Sequence, residues 1–79
     1  MKAKAKGVKC INISGEYIKL DALLKYASLV STGGEAKNRI KSGEVVLNGI
    51  ICLSRGKKIK QGDVVRMGES VILVRSKTL

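Results

Sequence analysis

Histidine, proline, phenylalanine and tryptophan are all missing from this chain of 79 residues, and Tyr17 and Tyr26 are its only aromatic residues. Without histidine the chain lacks the usual general base near neutral pH and the commonest metal ligand. With so few rings, the core has to be aliphatic. Cysteine is scarce as well: Cys10 and Cys52 lie 42 positions apart with no CxxC spacing, which supports neither a zinc site nor a thioredoxin-type motif. Both are expected as small buried thiols, with a disulfide as the alternative. Long apolar runs are absent too. The longest stretch without a charge is the ten residues from Val45 to Ser54, which is broken by Asn48-Gly49 and too short to span a bilayer. The opening MKAKAKGVK is basic like the start of a signal peptide, but Lys9 interrupts any apolar segment there and none succeeds it. No membrane association is expected, and the cytoplasm is the expected location.

Acidic residues are the last thing in short supply. Six Asp and Glu face sixteen Lys and Arg, a formal charge of +10. Such an imbalance destabilises a compact domain by self-repulsion unless a polyanion relieves it, and nucleic acid is the first candidate. The length allows one domain, and a chain this short buries only about 60% of the surface its unfolded form exposes. A catalytic cleft would compete with the core for residues.

Residues 1–6 alternate Lys with small residues and are expected as a flexible basic arm, either solvated or touching nucleic acid. Residues 8–13 read as a short strand before a Ser14-Gly15 turn. Leu20, Leu23, Leu24 and Ala27 recur at helical spacing and predict a first helix over residues 19–28, with Leu29 and Val30 returning to the core. Ser31-Thr32-Gly33-Gly34 forms a turn suited to helix entry. A second helix is expected over residues 35–42, with Ala36 and Ile40 inward, Glu35 at its positive end and Gly43 as its stop. Strands are expected over residues 44–47 and 50–53 around the Asn48-Gly49 hairpin turn, and over 64–67 and 71–74 around Gly68-Glu69. Between these hairpins lie a basic loop, residues 54–60, and the turn Gln61-Gly62-Asp63. No repeat, linker or second domain is visible.

Four segments carry a family resemblance. They are Lys19-Leu20-Asp21, Thr32-Gly33-Gly34-Glu35-Ala36-Lys37, Gly43-Glu44-Val45-Val46-Leu47-Asn48-Gly49 and Ile59-Lys60-Gln61-Gly62-Asp63-Val64-Val65. Together they resemble the RNA-binding domain named after ribosomal protein S-four, the alpha-L motif, and its small stand-alone bacterial subgroup in particular. Two positions depart from the pattern: Gly33 stands where the inter-helix turn commonly has arginine, and Arg39 where an apolar residue is usual. The resemblance implies an α+β fold, with two short helices packed on a small, mostly antiparallel sheet of about four to five strands. Residues 7–79 would be a single RNA-binding domain. Related domains are often appended to pseudouridine synthases, tRNA synthetases and methyltransferases; here no catalytic domain is expected.

The candidate RNA-binding residues are Lys19, Thr32, Gly33, Gly34, Lys37, Asn38, Arg39, Lys41, Arg55, Lys57, Lys58 and Lys60. Lys37 and Lys41, four apart, share a helix face and read either as a solvated surface or as phosphate contacts. Arg39 lies across the apolar stripe and either snorkels or meets RNA. Backbone N–H groups of Gly33 and Gly34 at a helix start suit a phosphate, while Thr32 and Asn38 suit directional hydrogen bonds. SRGKKIK, residues 54–60, has four basic residues and no acid. Tyr26 is expected partly buried at the helix edge, so no platform for stacking bases is expected, and recognition of structured RNA by shape and phosphate position fits better.

The expected function is therefore non-catalytic binding of structured RNA, ribosomal or transfer RNA, by a monomer that acts alone or on the ribosome or an assembly intermediate. The alternative is a protein-interaction or assembly factor that uses the cationic surface on an acidic protein; an exposed aliphatic patch among residues 50–53 or 71–74 would favour it. An enzyme is disfavoured: Asp21 and Asp63 have no histidine or paired carboxylate near them in sequence, and no glycine-rich nucleotide loop is present. No cofactor or metal is expected.

Overall fold

The computed structural model of the chain describes residues 7–76, so the expected basic arm of residues 1–6 lies outside the described residues. In chain order the elements are β1 (Val8–Ile13), β2 (Ile18–Lys19), α1 (Leu20–Tyr26), α2 (Gly33–Lys41), β3 (Val45–Leu47), β4 (Ile50–Ile51), β5 (Lys58–Ile59), β6 (Val64–Met67) and β7 (Ser70–Ser76). Five strands form one sheet in the order β1-β7-β6-β3-β4, and β2 pairs with β5 in a second, two-stranded sheet. All pairings are antiparallel except β1 with β7. This is the expected α+β arrangement of two helices on a mostly antiparallel sheet.

Alternation decides which sheet face is inside. Along β6 and β7, Val65, Met67, Ile72 and Val74 are buried while Arg66, Leu73 and Arg75 are exposed, and Val65 sits opposite Ile72. The helices cover the buried face. Leu20, Leu23 and Leu24 of α1 are fully buried, as are Ala36 and Ile40 of α2, so the stripe read from spacing is the one that packs. Ala27, Val30 and Ile13 complete one continuous aliphatic cluster, with Leu29 partly buried against it.

Turn chemistry sets the joints. Asn48 (φ 51°) and Gly49 (φ 88°) both take the left-handed conformation that a two-residue hairpin requires, which explains why Asn-Gly closes β3 onto β4. Helix α2 begins two residues before its expected start. Thr32 is its N-cap, its hydroxyl oxygen accepting the Glu35 N–H at 3.1 Å, while a Glu35 carboxylate oxygen accepts the Ser31 N–H at 2.9 Å. A cap this complete outweighs the low helix propensity of Gly33 and Gly34.

The largest departure from the sequence reading lies in residues 54–60, where Lys58 and Ile59 form strand β5 inside the expected loop, and Ile59 is fully buried. A two-residue strand has too little periodicity to show in sequence. Three side chains also differ from expectation. Tyr26 is 63% exposed instead of partly buried, because it points away from the Leu20–Ala27 stripe. Cys10 is exposed and Cys52 half-buried, and both are free thiols.

Candidate nucleic-acid interface

The basic segment is held in place by its backbone. Helix α1 has no side-chain cap; its first N–H groups, those of Leu20 and Asp21, donate instead to the carbonyls of Lys57 (2.9 Å) and Arg55 (3.1 Å). Those donors would otherwise be orphaned at a helix start. The same bonds fix the segment against α1, with its four basic side chains exposed and only Ile59 buried. Its far end is held as well, because the Lys60 N–H donates to Asp63 at 2.8 Å.

The β2–β5 pairing then sets Lys19 directly opposite Lys58. Because Ile18 and Ile59, the neighbouring pair, turn inward, Lys19 and Lys58 project to the exposed side. Like charges in directly opposed positions are destabilising, so this pair is a local cost in the free protein. The Lys58 ammonium lies 4.9 Å from the centroid of the Tyr17 ring, a cation–π contact that offsets part of that cost. Lys19, Arg55, Lys57 and Lys58 thus gather around the start of α1, all exposed.

On α2, Lys37, Asn38 and Lys41 are exposed, and the helix packs against α1, as does β5. Helix α1 is therefore the common neighbour of both basic groups. Gly33 and Gly34 are exposed at the helix start; a side-chain carbon built on Gly33 meets nothing within 4 Å, and on Gly34 only the Thr32 hydroxyl at 3.9 Å. The fold itself does not demand glycine at either place.

Arg39 differs in environment from the other candidates. Its guanidinium hydrogen-bonds Glu44 at 2.8 Å and lies 3.6 Å from Glu35, bridging α2 to the entrance of β3. The Glu44 bond and charge push the arginine pKa upward. The Ser42 hydroxyl, donating at 2.8 Å, and Arg39 together hold the Glu44 carboxyl below its ordinary value. Two carboxylates already compensate this cation, while no acid is bonded to Lys37 or Lys41 among the described residues.

One surface feature escaped the sequence reading, and a second was posed there only as a condition. Tyr17, just ahead of β2, and Tyr26, at the end of α1, line one hollow of about 240 Å³. The only signal for it was that Tyr26 falls outside the apolar stripe of α1. Ile50, Ile51 and Leu53 are 73%, 58% and 61% exposed and line a groove of about 570 Å³ together with Lys57, Lys58 and Lys60. This is the aliphatic patch at residues 50–53 that the protein-interaction alternative calls for. Among the described residues no helix is long and apolar enough to cross a membrane.

Compared with known proteins, residues 11–75 match a family model described as the S4 domain. No curated protein matches the chain.

Proposed function

The chain belongs to the S4 domain family, whose domains are generally associated with RNA binding, and from that membership we propose that it binds structured RNA, ribosomal or transfer RNA, without catalysing a reaction on it. The observation that carries the reading is the opposition of Lys19 and Lys58 beside Arg55 and Lys57, a concentration of cations that a phosphate backbone would relieve. In this reading Lys19, Arg55, Lys57, Lys58 and Lys60 neutralise phosphates beside the start of α1. Lys37 and Lys41 do so on α2, with the Gly33 and Gly34 N–H groups at the start of that helix receiving a phosphate and Thr32 and Asn38 adding directional bonds. Arg39 contributes chiefly by holding α2 to β3. Residues 7–79 form the binding unit, acting as a cytoplasmic monomer without a cofactor.

A competition titration tests it. A labelled RNA hairpin should be displaced by unlabelled hairpin at far lower concentration than by polyglutamate of equal charge. Equal displacement by the two polyanions would reduce the binding to bulk attraction and end the claim of recognition.

The exposed Ile50, Ile51 and Leu53 favour a second reading, in which the same face docks a protein segment carrying both acidic and aliphatic side chains. Charge complementarity to Lys57, Lys58 and Lys60 supports the acids, and the aliphatic wall supports the rest. Asp63 also lines the groove, but it already accepts from the Lys60 N–H and from Asn48. An alternating Glu-Leu peptide should bind better than polyglutamate and lose that advantage in Ile50→Ser/Ile51→Ser. If the two peptides bind alike, the groove is not a docking surface.

A further inference from the structure

The hollow between Tyr17 and Tyr26 carries an inference that rests on the RNA-binding reading and extends it. We propose that this hollow is a subsite for a single unpaired nucleobase, so that the RNA bound is a helix with a flanking single-stranded nucleotide rather than a uniform duplex.

Four observations converge on it. The only two aromatic rings of the chain come from different segments, Tyr17 just ahead of β2 and Tyr26 at the end of α1, yet both line the same hollow of about 240 Å³. Both are accessible, at 41% and 63% exposure, and among the described residues Tyr26 makes no hydrogen bond or ring contact that would account for its position. Asn12 and Ser14 line the hollow as well. An amide and a hydroxyl offer both donors and acceptors to the polar edge of a base. Finally, the Lys58 ammonium rests 4.9 Å from the Tyr17 ring centroid, with Lys19 opposite it.

A nucleotide carries its base and its phosphate together, and this site sets rings and cations side by side in the same way. Duplex RNA hides the faces of its bases, whereas an unstacked base can lie on an aromatic side chain and be read at its edge. A protein segment is the weaker match here, because the accessible walls are two rings, an amide and a hydroxyl, while the aliphatic lining, Ile13 and Ile18, is buried or half-buried and already packs with the core. Aliphatic exposure is concentrated instead at Ile50, Ile51 and Leu53, a separate surface.

The test compares two labelled RNA hairpins of equal phosphate count, one blunt and one ending in a short single-stranded 3′ extension, against the full chain. Base stacking on an aromatic side chain corresponds to roughly 5- to 140-fold in affinity per base. Tyr26→Ala should lose a factor in that range for the extended hairpin and stay within about twofold for the blunt one, whereas Tyr26→Phe should retain both. Tyr17→Ala should behave likewise, but because that ring also supports Lys58, Tyr26 is the deciding position. Exposed as it is, Tyr26 can be replaced without opening the core, and an unchanged circular dichroism spectrum checks this. Tight wild-type binding of both hairpins with no selective loss in Tyr26→Ala would overturn the subsite and leave the RNA-binding function standing. Failure of the wild-type chain to bind either hairpin would overturn both.

Discussion

Asn48 and Asp63, fifteen residues apart, lock two turns together. The Asn48 amide donates to the Asp63 carboxylate at 3.1 Å, while its carbonyl oxygen accepts the Val64 N–H at 2.8 Å. Asp63 in turn accepts the Lys60 N–H at 2.8 Å, so the β3–β4 hairpin is tied through one carboxylate to the end of the basic segment. Asn-Gly is therefore more than a local turn signal here.

That double role separates two substitutions. Asn48→Gly keeps access to the left-handed backbone and loses only the side-chain bonds, costing about 1 kcal/mol at an exposed site. Asn48→Ala loses the bonds and also forces a side chain into φ 51°, for a total of about 2 kcal/mol. Urea unfolding midpoints should fall in the order wild type, Asn48→Gly, Asn48→Ala. Equal midpoints for wild type and the alanine variant would show that the lock contributes nothing.

The Arg39–Glu44 pair predicts a pH dependence. Because the native Glu44 pKa is lowered by Ser42 and Arg39, the folded state favours the ionised carboxylate more than the unfolded chain does. The resulting stabilisation is complete above the ordinary glutamate value of about 4.3 and fades as pH falls through the lowered native value. Wild type should exceed Glu44→Gln in stability at neutral pH, by a modest margin for so exposed a pair, and the gap should close in acid. A gap that stays constant down to about pH 3 would remove the pair from the stability of the fold.

Much of this architecture was legible in the sequence, for reasons that differ by element. The α1 stripe was readable because four aliphatic residues at helical spacing leave little choice of face, and Asn48-Gly49 because few residues tolerate two successive positive φ angles. Strands β2 and β5 were not readable, since two residues have no period and their pairing is fixed by tertiary contact with α1. At the site, the sequence named Lys19 and Lys58 separately; only the register of that short sheet puts them face to face. For Arg39, the i, i+4 spacing to Glu35 was open to reading, although the charge was assigned to snorkelling or RNA instead. The pairing with Glu44 was not legible, because the chain reverses between the two at Gly43.

Gly33 and Gly34 separate stability from binding. Neither position is crowded and neither requires a positive φ, so alanine there should leave folding intact or stabilise it by up to about 0.5 kcal/mol through reduced freedom of the unfolded chain. If a phosphate seats on those N–H groups, the added methyl should obstruct its approach. Affinity for an RNA hairpin should then fall while the melting temperature holds or rises. A double alanine variant that binds as wild type would take the start of α2 out of the interface.

Lys19→Glu should act in opposite directions on the free protein and on the complex. It replaces the opposed ammonium groups with an ion pair, worth a few tenths of a kcal/mol up to about 1. It also places an acid at the N-terminal end of α1, where the helix dipole favours negative charge. The free protein should melt higher and bind RNA more weakly. A variant that melts lower would mean that Lys19 and Lys58 do not repel in solution.

The basic segment makes the most quantitative prediction. Arg55, Lys57, Lys58 and Lys60 are exposed, and their backbone is fixed by bonds to α1 and Asp63, so replacing all four with Ser leaves Ile59 in the core and those backbone anchors intact. Each phosphate neutralised releases about 0.7 to 0.9 counterions, so losing four contacts should flatten the slope of log affinity against log salt by roughly 3 units. Phosphate contacts carry no base information, so affinity should fall by a similar factor for preferred and unrelated structured RNAs. Loss of Asn38 or of the Thr32 hydroxyl should do the reverse, eroding discrimination more than the salt slope. A well-folded quadruple variant with an unchanged slope would mean that these cations stay solvated in the complex. The interface would then have to be sought along α2, at Lys37 and Lys41, where charge reversal to Glu should weaken binding far more than reversal of Lys2 and Lys4.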